Sequence, residues 1–234
     1  MIVFTGGTGR LGTELKKLFP DELYPTREEL DITVPYSILD YFGVMKPKMV
    51  VHCAAFTSPP VCEKNPLQAL RVNIEGTTYL AEYCTQKKTP LVYISTEYVF
   101  NGKDGNYSEE DPVHPVNLYG WTKLGGECAV RIVPEHLIIR CAFTPMRFPY
   151  DKAPIDQYSS RDTVDIIAKQ IYTLISRNAR GVFHIGTERK SVWDHANRIS
   201  QFEVKRCSYK DFDFVVPEDG SLNTSKYIEF EENT

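Results

Sequence analysis

Met1-Ile2-Val3-Phe4-Thr5-Gly6-Gly7-Thr8-Gly9-Arg10-Leu11-Gly12 is the stretch on which the reading of this chain turns. Its first five residues are a short continuous apolar run, the pattern of a strand buried on both faces. Glycines follow at every third position, and a helical spacing of Leu11, Leu15, Leu18 and Phe19 begins among them. A glycine turn between a buried strand and a helix lets the backbone approach a pyrophosphate, which then rests on the helix's unpaired N–H groups and positive end. The spacing Gly6-x-x-Gly9-x-x-Gly12 departs slightly from the commonest dinucleotide fingerprint, and a plain tight turn would also use glycines. Its place directly after a buried strand favours the dinucleotide.

Working outward, strand and helix patterns alternate. A short strand near Glu22-Leu23-Tyr24 is followed by a helix to about Phe42, the strand Lys48 to Ala55, a long helix from about Pro66 to Lys87 containing Asn73, and the strand Leu91 to Ser95. A helix to about Val130, the strand His136 to Cys141, a helix near Thr163 to Arg177, the strand Gly181 to Ile185 and a helix near Ser191 to Gln201 complete the series. The expected fold is α/β, a Rossmann-type doubly wound parallel sheet with a small C-terminal substrate lobe. Residues 1–145 read as the dinucleotide-binding domain, and residues 146–234 as a reduced lobe interleaved with the last Rossmann elements. The acidic end, Glu229 to Glu232, reads as a frayed tail. In such sheets the ligand lies outside the carboxyl ends of the strands, which places Gly6, Ala55 and Thr96 on one rim.

The end of the short second strand bears on cofactor choice. An acidic residue there suits the ribose hydroxyl of NAD, whereas an arginine suits a 2′-phosphate. Tyr24-Pro25-Thr26-Arg27, with Arg10 as a second cation, points to NADPH, with NADH as the alternative. The bland reading is that Thr26-x-x-Glu29 is a capping box and Arg27 a solvated side chain.

Net charge of −4 and pI near 5.8, with scattered Lys and Arg, argue against a nucleic-acid surface. No run approaches a membrane span and no leader pattern precedes the glycines, so a cytoplasmic protein without membrane attachment is expected. Six cysteines without Cys-x-x-Cys spacing read as reduced thiols, and five dispersed histidines argue against a metal site.

Leu118-Tyr119-Gly120-Trp121-Thr122-Lys123 carries the chemistry. On a helix, Tyr119 and Lys123 share one face. A phenol that donates a proton near neutrality needs its anion stabilised by about 3 pK units, roughly 4 kcal/mol, and a cation at about 4 Å supplies that order of energy. Chance yields roughly one Tyr-x-x-x-Lys pair in such a chain; Tyr83 and Lys87 form a second pair and read as a partly exposed helix face. The loop from Thr96 to Asn117 delivers Tyr119 to the same rim as Thr96, whose hydroxyl would orient a carbonyl while Tyr119 protonates it.

The glycine motif, Leu30-Asp31-Ile32-Thr33, Ala54-Ala55-Phe56-Thr57, Ile94 to Gly102 and Asn117 to Glu127, in that order, resemble the extended short-chain dehydrogenase/reductases, and within them the dTDP-4-dehydrorhamnose reductases. The resemblance covers most of residues 1–145 and returns weakly at residues 181–185, 191–193 and 221–226. It implies hydride transfer to C4 of a 4-keto-6-deoxy sugar nucleotide, with Tyr119 as proton donor, Lys123 lowering its pKa and holding the nicotinamide ribose, and Thr96 orienting the keto oxygen. It also implies a cofactor lined by Gly6, Gly9, Arg10, Leu11, Gly12, Asp31, Ile32, Ala54, Ala55 and Thr57, and a sugar nucleotide met by Thr96, Glu97, Tyr98 and Phe143. The family's usual Trp is replaced by Phe143, and the stretch from Pro145 to Asp162 is shorter than is typical, without an expected helix. Tyr98 stands where epimerising relatives have Cys, which implies reduction without epimerisation. A homodimer fits the family. Two other readings remain: a non-catalytic NADP-binding regulatory subunit resembling that of methionine adenosyltransferase, and an epimerase or dehydratase of the same fold.

Overall fold

The structure is a computed structural model and describes residues 1–233. Five parallel strands lie side by side in the order Ile2–Thr5, Met49–His52, Leu91–Thr96, His136–Cys141 and Gly181–His184. The expected second strand survives as one parallel bridge on the outer side of the first: Leu23 N donates to Ile2 O at 3.0 Å, and Phe4 N donates to Leu23 O at 2.8 Å. Pro20 and Pro25 flank it, and proline cannot donate to a ladder, so it stays short. The chain therefore steps outward from the first strand to Leu23 and returns on the other side at Met49. That reversal beside the carboxyl end of Ile2–Thr5 is the switch point at which such sheets hold ligands.

Alternation along each strand feeds two cores. Phe4, Val51, Val92, Ile94, Leu137 and Ile139 face one side, covered by Leu11 and Leu15 of the helix Arg10–Leu18 and by the helix Val164–Ser176. The latter buries Val164, Ile167, Ala168, Ile171, Leu174 and Ile175, a helical stripe. Val3, Val50, Leu91, Tyr93 and Ile138 face the other side, under Ile38 and Phe42 of Pro35–Met45 and Leu80, Ala81 and Cys84 of Gly76–Lys87. The sheet is thus covered on both faces, which makes the fold a Rossmann-type α/β. A small separate core of Phe148, Ala153, Val192, Ala196 and Val204 lies in the C-terminal part. Residues 146–161 contain two short strands, Lys152–Pro154 and Tyr158–Ser159, and no helix. No helix among the described residues is long and apolar enough to cross a membrane.

Three local expectations need correction. The acidic tail is not frayed: Ser225–Glu232 is helical, because Tyr227 is buried and Phe230 packs on the first core. Tyr83 is buried rather than partly exposed, its ring 4.9 Å from Phe42 and its hydroxyl donating to Phe42 O. The long helix is interrupted by a wide π-type turn at Arg71–Glu75, between Pro66–Leu70 and Gly76–Lys87. Asn73 lies in that turn, fully engaged with neighbours: Phe56 N donates to its Oδ1 at 2.8 Å, and its Nδ2 donates to Phe56 O and to Thr122 Oγ1, both at 2.9 Å.

Beneath the sheet's carboxyl end lies a buried ionic cluster. Glu127 accepts from Arg140 Nε at 3.0 Å, Arg140 Nη2 at 2.8 Å and Ser95 Oγ at 2.5 Å. Arg140 also donates to His184 Nε2 at 3.3 Å, which fixes the proton on Nδ1, where it is donated to Tyr107 O at 2.9 Å. Burial lowers the His184 pKa to about 3, and the Arg140 charge opposes protonation further. The imidazole is therefore a neutral acceptor. Removing one member of a buried pair strands the other charge, at about 3–5 kcal/mol. Glu127→Ala is expected to lose stability of that order in urea unfolding, and a joint Glu127→Leu, Arg140→Met variant to lose markedly less.

Candidate active site

The first strand ends at Thr5, and Gly6 takes a left-handed φ of +70° that leads into the helix. A Cβ at Gly6 would come within 2.6 Å of Ala54 N, and one at Gly12 within 2.6 Å of Gly6 O, so both glycines allow close backbone contact. Gly9 is different. Only Gly6 O, at 3.1 Å, lies near its would-be Cβ, so this glycine opens toward the cleft. Gly9 is also the N-cap of Arg10–Leu18 and offers no side-chain cap, which leaves first-turn N–H groups for an anion. The adjoining cleft has a volume of about 430 Å³ and runs past Arg27, Asp31, Ile32, Ala54 and Phe56. A glycine-lined helix end opening on a cleft of this size at the switch point fits a dinucleotide.

Across the rim stands the helix Leu118–Val130. Asn117 caps it, its Oδ1 accepting from Gly120 N at 2.9 Å. Glycine is required twice on the buried face: a Cβ at Gly120 would collide with Tyr98 O, and one at Gly126 with the Tyr93 hydroxyl. This close seat brings the Tyr119 phenol beside Thr96 at the end of Leu91–Thr96, near enough for the Thr96 hydroxyl to favour the phenolate. Tyr98 stands edge-on to Tyr119, with ring centroids 5.9 Å apart. Lys123 is buried, its Nζ 4.0 Å from the centre of the Tyr93 ring and one helical turn from Glu127. A hydroxyl–phenol pair on the same rim of the sheet as a dinucleotide cleft, with an ammonium behind it, can protonate a carbonyl oxygen beside a reduced nicotinamide.

The family model described as the RmlD substrate binding domain matches residues 1–144. The chain belongs to this family. It is the family of the dTDP-4-dehydrorhamnose reductases, within the extended short-chain dehydrogenase/reductases. A dTDP-4-dehydrorhamnose reductase of Aggregatibacter actinomycetemcomitans is 34% identical over 182 residues, which are 73% of this chain and 61% of that relative. The methionine adenosyltransferase 2 subunit beta of Bos taurus is 34% identical over 246 aligned residues, covering 90% of this chain and 71% of the relative. Among solved structures, a dTDP-4-dehydrorhamnose reductase from Clostridium acetobutylicum aligns with a TM-score of 0.88 at 27% identity, over 99% of this chain and 92% of that one. The chain thus spans less than two thirds of the first of these curated relatives.

Within this member of the RmlD family the residues singled out from sequence fall into distinct places. Gly6, Gly9, Arg27, Asp31, Ile32, Ala54 and Ala55 line the cleft. The Leu11 side chain is turned into the core, leaving only its backbone for a cofactor, while Arg10 and Thr57 are exposed. Thr26 and Glu29 form the capping box, with Thr26 N donating to Glu29 at 2.7 Å and Glu29 N to Thr26 Oγ1 at 3.3 Å. Arg27 nonetheless faces the cleft and pairs with Asp31 at 3.2 Å. Burial alone would raise the Asp31 carboxyl, but hydrogen bonds from Thr33 and the Arg27 cation hold it below its ordinary value. Glu97 is buried and occupied, accepting from Ser159 Oγ at 2.6 Å and Arg161 at 3.2 Å. Phe143 is half-buried against the first core, at the start of a short strand paired with Asp162–Thr163.

Sequence reading gave no role to Asn117, Gln157 or Arg161. The Tyr98 phenol lies close to Gln157 and Arg161, which favour its ionised form against the larger effect of burial. Asn117 carried a readable signal, an Asx residue just before a helical run. Gln157 and Arg161 carried none.

The electrostatics revise the simple tyrosine–lysine device. Burial raises the Tyr119 pKa, opposed by the Thr96 hydrogen bond and reinforced by Cys141, Cys62 and Tyr98. The phenol is therefore protonated at neutral pH. Lys123 is pushed down to about 7 by burial, with the Glu127 carboxylate opposing that fall. An unfolded lysine keeps its proton to about 10.5, so between these values the unfolded chain binds more protons and this group makes stability rise with pH. Raised phenols and thiols act in the opposite sense at high pH, so the contribution is read as a difference. From pH 7 to about pH 9, wild type is expected to gain on Lys123→Met by up to about 1.4 kcal/mol per pH unit, measured by denaturant unfolding at each pH.

Proposed function

We propose that this chain is a reductase that converts the C4 keto group of a nucleotide-linked 4-keto-6-deoxy sugar to an alcohol, forming an L-rhamnose-type nucleotide sugar. The observation that carries the reading is the Tyr119 phenol set beside the Thr96 hydroxyl at the carboxyl end of the sheet, the same rim on which the dinucleotide cleft opens, with Lys123 one helical turn behind. Relatives named dTDP-4-dehydrorhamnose reductase and, in Streptomyces niveus, dTDP-4-keto-6-deoxy-D-glucose reductase at 33% identity support the substrate class.

NADPH, when bound, supplies the hydride; NADH is the second choice. The glycine loop and the open end of Arg10–Leu18 would hold its pyrophosphate, and Arg27 would meet the 2′-phosphate. Thr96 Oγ1 orients the keto oxygen, and Tyr119 gives that oxygen its phenolic proton. As the proton leaves, the phenolate keeps the Thr96 hydrogen bond, and Lys123 stabilises the new negative charge. Glu127 helps the amine stay protonated for that purpose. Tyr98 offers no thiol for a second proton transfer, so the sugar leaves unepimerised.

The likeness to methionine adenosyltransferase 2 subunit beta favours a second reading, a non-catalytic NADP-binding subunit. The two are separated by following reduced-nicotinamide absorbance on adding enzymatically prepared dTDP- or UDP-4-keto-6-deoxyhexose. Turnover by wild type and loss of at least about a hundredfold in Tyr119→Phe are expected, the scale of general-acid catalysis. Tight NADPH binding without reduction of any keto sugar would overturn the reductase and favour the subunit. Arg27→Ala is expected to weaken NADPH by about tenfold, equivalent to about 1.4 kcal/mol, while NADH affinity holds, as read by fluorescence titration.

A further inference from the structure

Tyr93 lies in the middle of the buried strand Leu91–Thr96 and is fully enclosed. It meets the helix Leu118–Val130 in two ways. The centre of its ring lies 4.0 Å from Lys123 Nζ, and its hydroxyl donates to the Lys123 carbonyl oxygen at 3.3 Å. Gly126 makes the room, since a Cβ there would collide with that hydroxyl. The ring is thus pinned to the very residue whose side chain it faces. Apolar packing on the second core would be met by leucine, and would need neither the hydroxyl tie nor the glycine.

The ammonium lacks other direct support. Among the described residues Lys123 Nζ has no hydrogen-bond acceptor, and the carboxylate one turn along, Glu127, is taken up by Arg140 and Ser95. A ring face attracts a cation without presenting a directional lone pair, and the attraction is strongest where water is excluded. It can hold the charge and still leave N–H groups for a ligand. We propose that Tyr93 is a positioning residue for the reduction, its ring face keeping the Lys123 side chain charged and its N–H groups free for the cofactor and the Tyr119 phenolate. The inference rests on the reductase reading and deepens it. The other groups around this amine are Glu127 on its own helix, Cys141 at the end of His136–Cys141, and His52 and Cys53 at the end of the neighbouring strand. Burial raises both thiols to about 12 and lowers His52 to about 3, and it keeps the Tyr93 and Tyr119 phenols protonated. None of these thiols, phenols or imidazoles changes charge near neutrality, whereas Lys123, lowered by burial to about 7, does.

The test reads the amine directly, by NMR titration of the full-length protein isotope-labelled at the lysine Cε carbons, with Lys123→Met assigning the signal. Tyr93→Phe keeps the ring face. Replacing Tyr93 by a ring-trifluorinated phenylalanine keeps the shape but drains the negative potential of that face. The Lys123 midpoint is expected to stay near the wild-type value in Tyr93→Phe and to fall by about one pH unit on fluorination, with the two variants melting alike. With the keto sugar, the alkaline fall of kcat/KM is expected to move to lower pH by the same amount, because the amine loses its proton sooner. A midpoint that ignores fluorination, with turnover intact, overturns the role of the ring alone. Wild-type protein that reduces no keto sugar overturns the reductase reading, and with it a part for Tyr93 in reduction, even where the midpoint falls.

Discussion

The site depends on how one carboxylate is buried. Glu127 lies on the inner face of the helix that carries Tyr119 and Lys123, and it is fully enclosed. Two opposing cations share it, Arg140 by direct paired hydrogen bonds and Lys123 through space. Ser95 adds a hydroxyl from the strand that ends in Thr96. The helix, the Thr96 strand and the Arg140 strand are therefore pinned at one point. Charges at such depth are held only where geometry is complete, so the helix that carries Tyr119 has one seat. The same burial that fixes Lys123 strips it of water, which accounts for its lowered pKa.

A second set of contacts ties the cofactor side to that helix. His52, on the strand beside the glycine loop, bonds Thr5 Oγ1 at 2.7 Å through Nδ1 and Thr77 Oγ1 at 3.0 Å through Nε2. Thr77 donates onward to Asn73 O, and the Asn73 side chain spans from Phe56 to Thr122 of the helix Leu118–Val130. The wide turn at Arg71–Glu75 has a physical purpose here: it directs Asn73 across the gap, where a regular helix would have carried it past. Burial lowers His52 to about 3, aided by the Lys123 charge, so the ring serves as a neutral connector.

The C-terminal part is held by the buried Glu97 rather than by a large apolar core. Ser159 and Arg161 close on its carboxylate, and Gly220 passes so near that a Cβ would lie 3.2 Å from Glu97 Cδ. Burial raises the Glu97 pKa, opposed by the Arg161 cation. A residue adjacent to the strand Leu91–Thr96 thus doubles as the anchor of the lobe, and the segment that follows Pro217 threads between that anchor and the loop at Gly102 and Gly105.

The sequence by itself determined the periodic features. Apolar runs marked the five strands, glycines at fixed spacing marked the dinucleotide turn, and a four-residue separation put Tyr119 and Lys123 on one helical face. These are local, because strand, turn and helix periods act over a few residues. Leu23 was readable as a strand but not as a single bridge, since its length depends on what the neighbouring strand offers. The tail looked frayed from its charges, yet Tyr227 and Phe230 fold it, because a core elsewhere accepts them. The tertiary structure alone decided the electrostatics. Lys123 looked like a fully charged partner for Tyr119, but its state follows from burial beside Tyr93 and Glu127, residues that come together only when strand and helix are packed. Glu97 likewise looked available, and only the approach of Ser159 and Arg161, more than sixty residues away in sequence, occupies it. Desolvation and long-range pairing have no period along the chain, so no local pattern carries them.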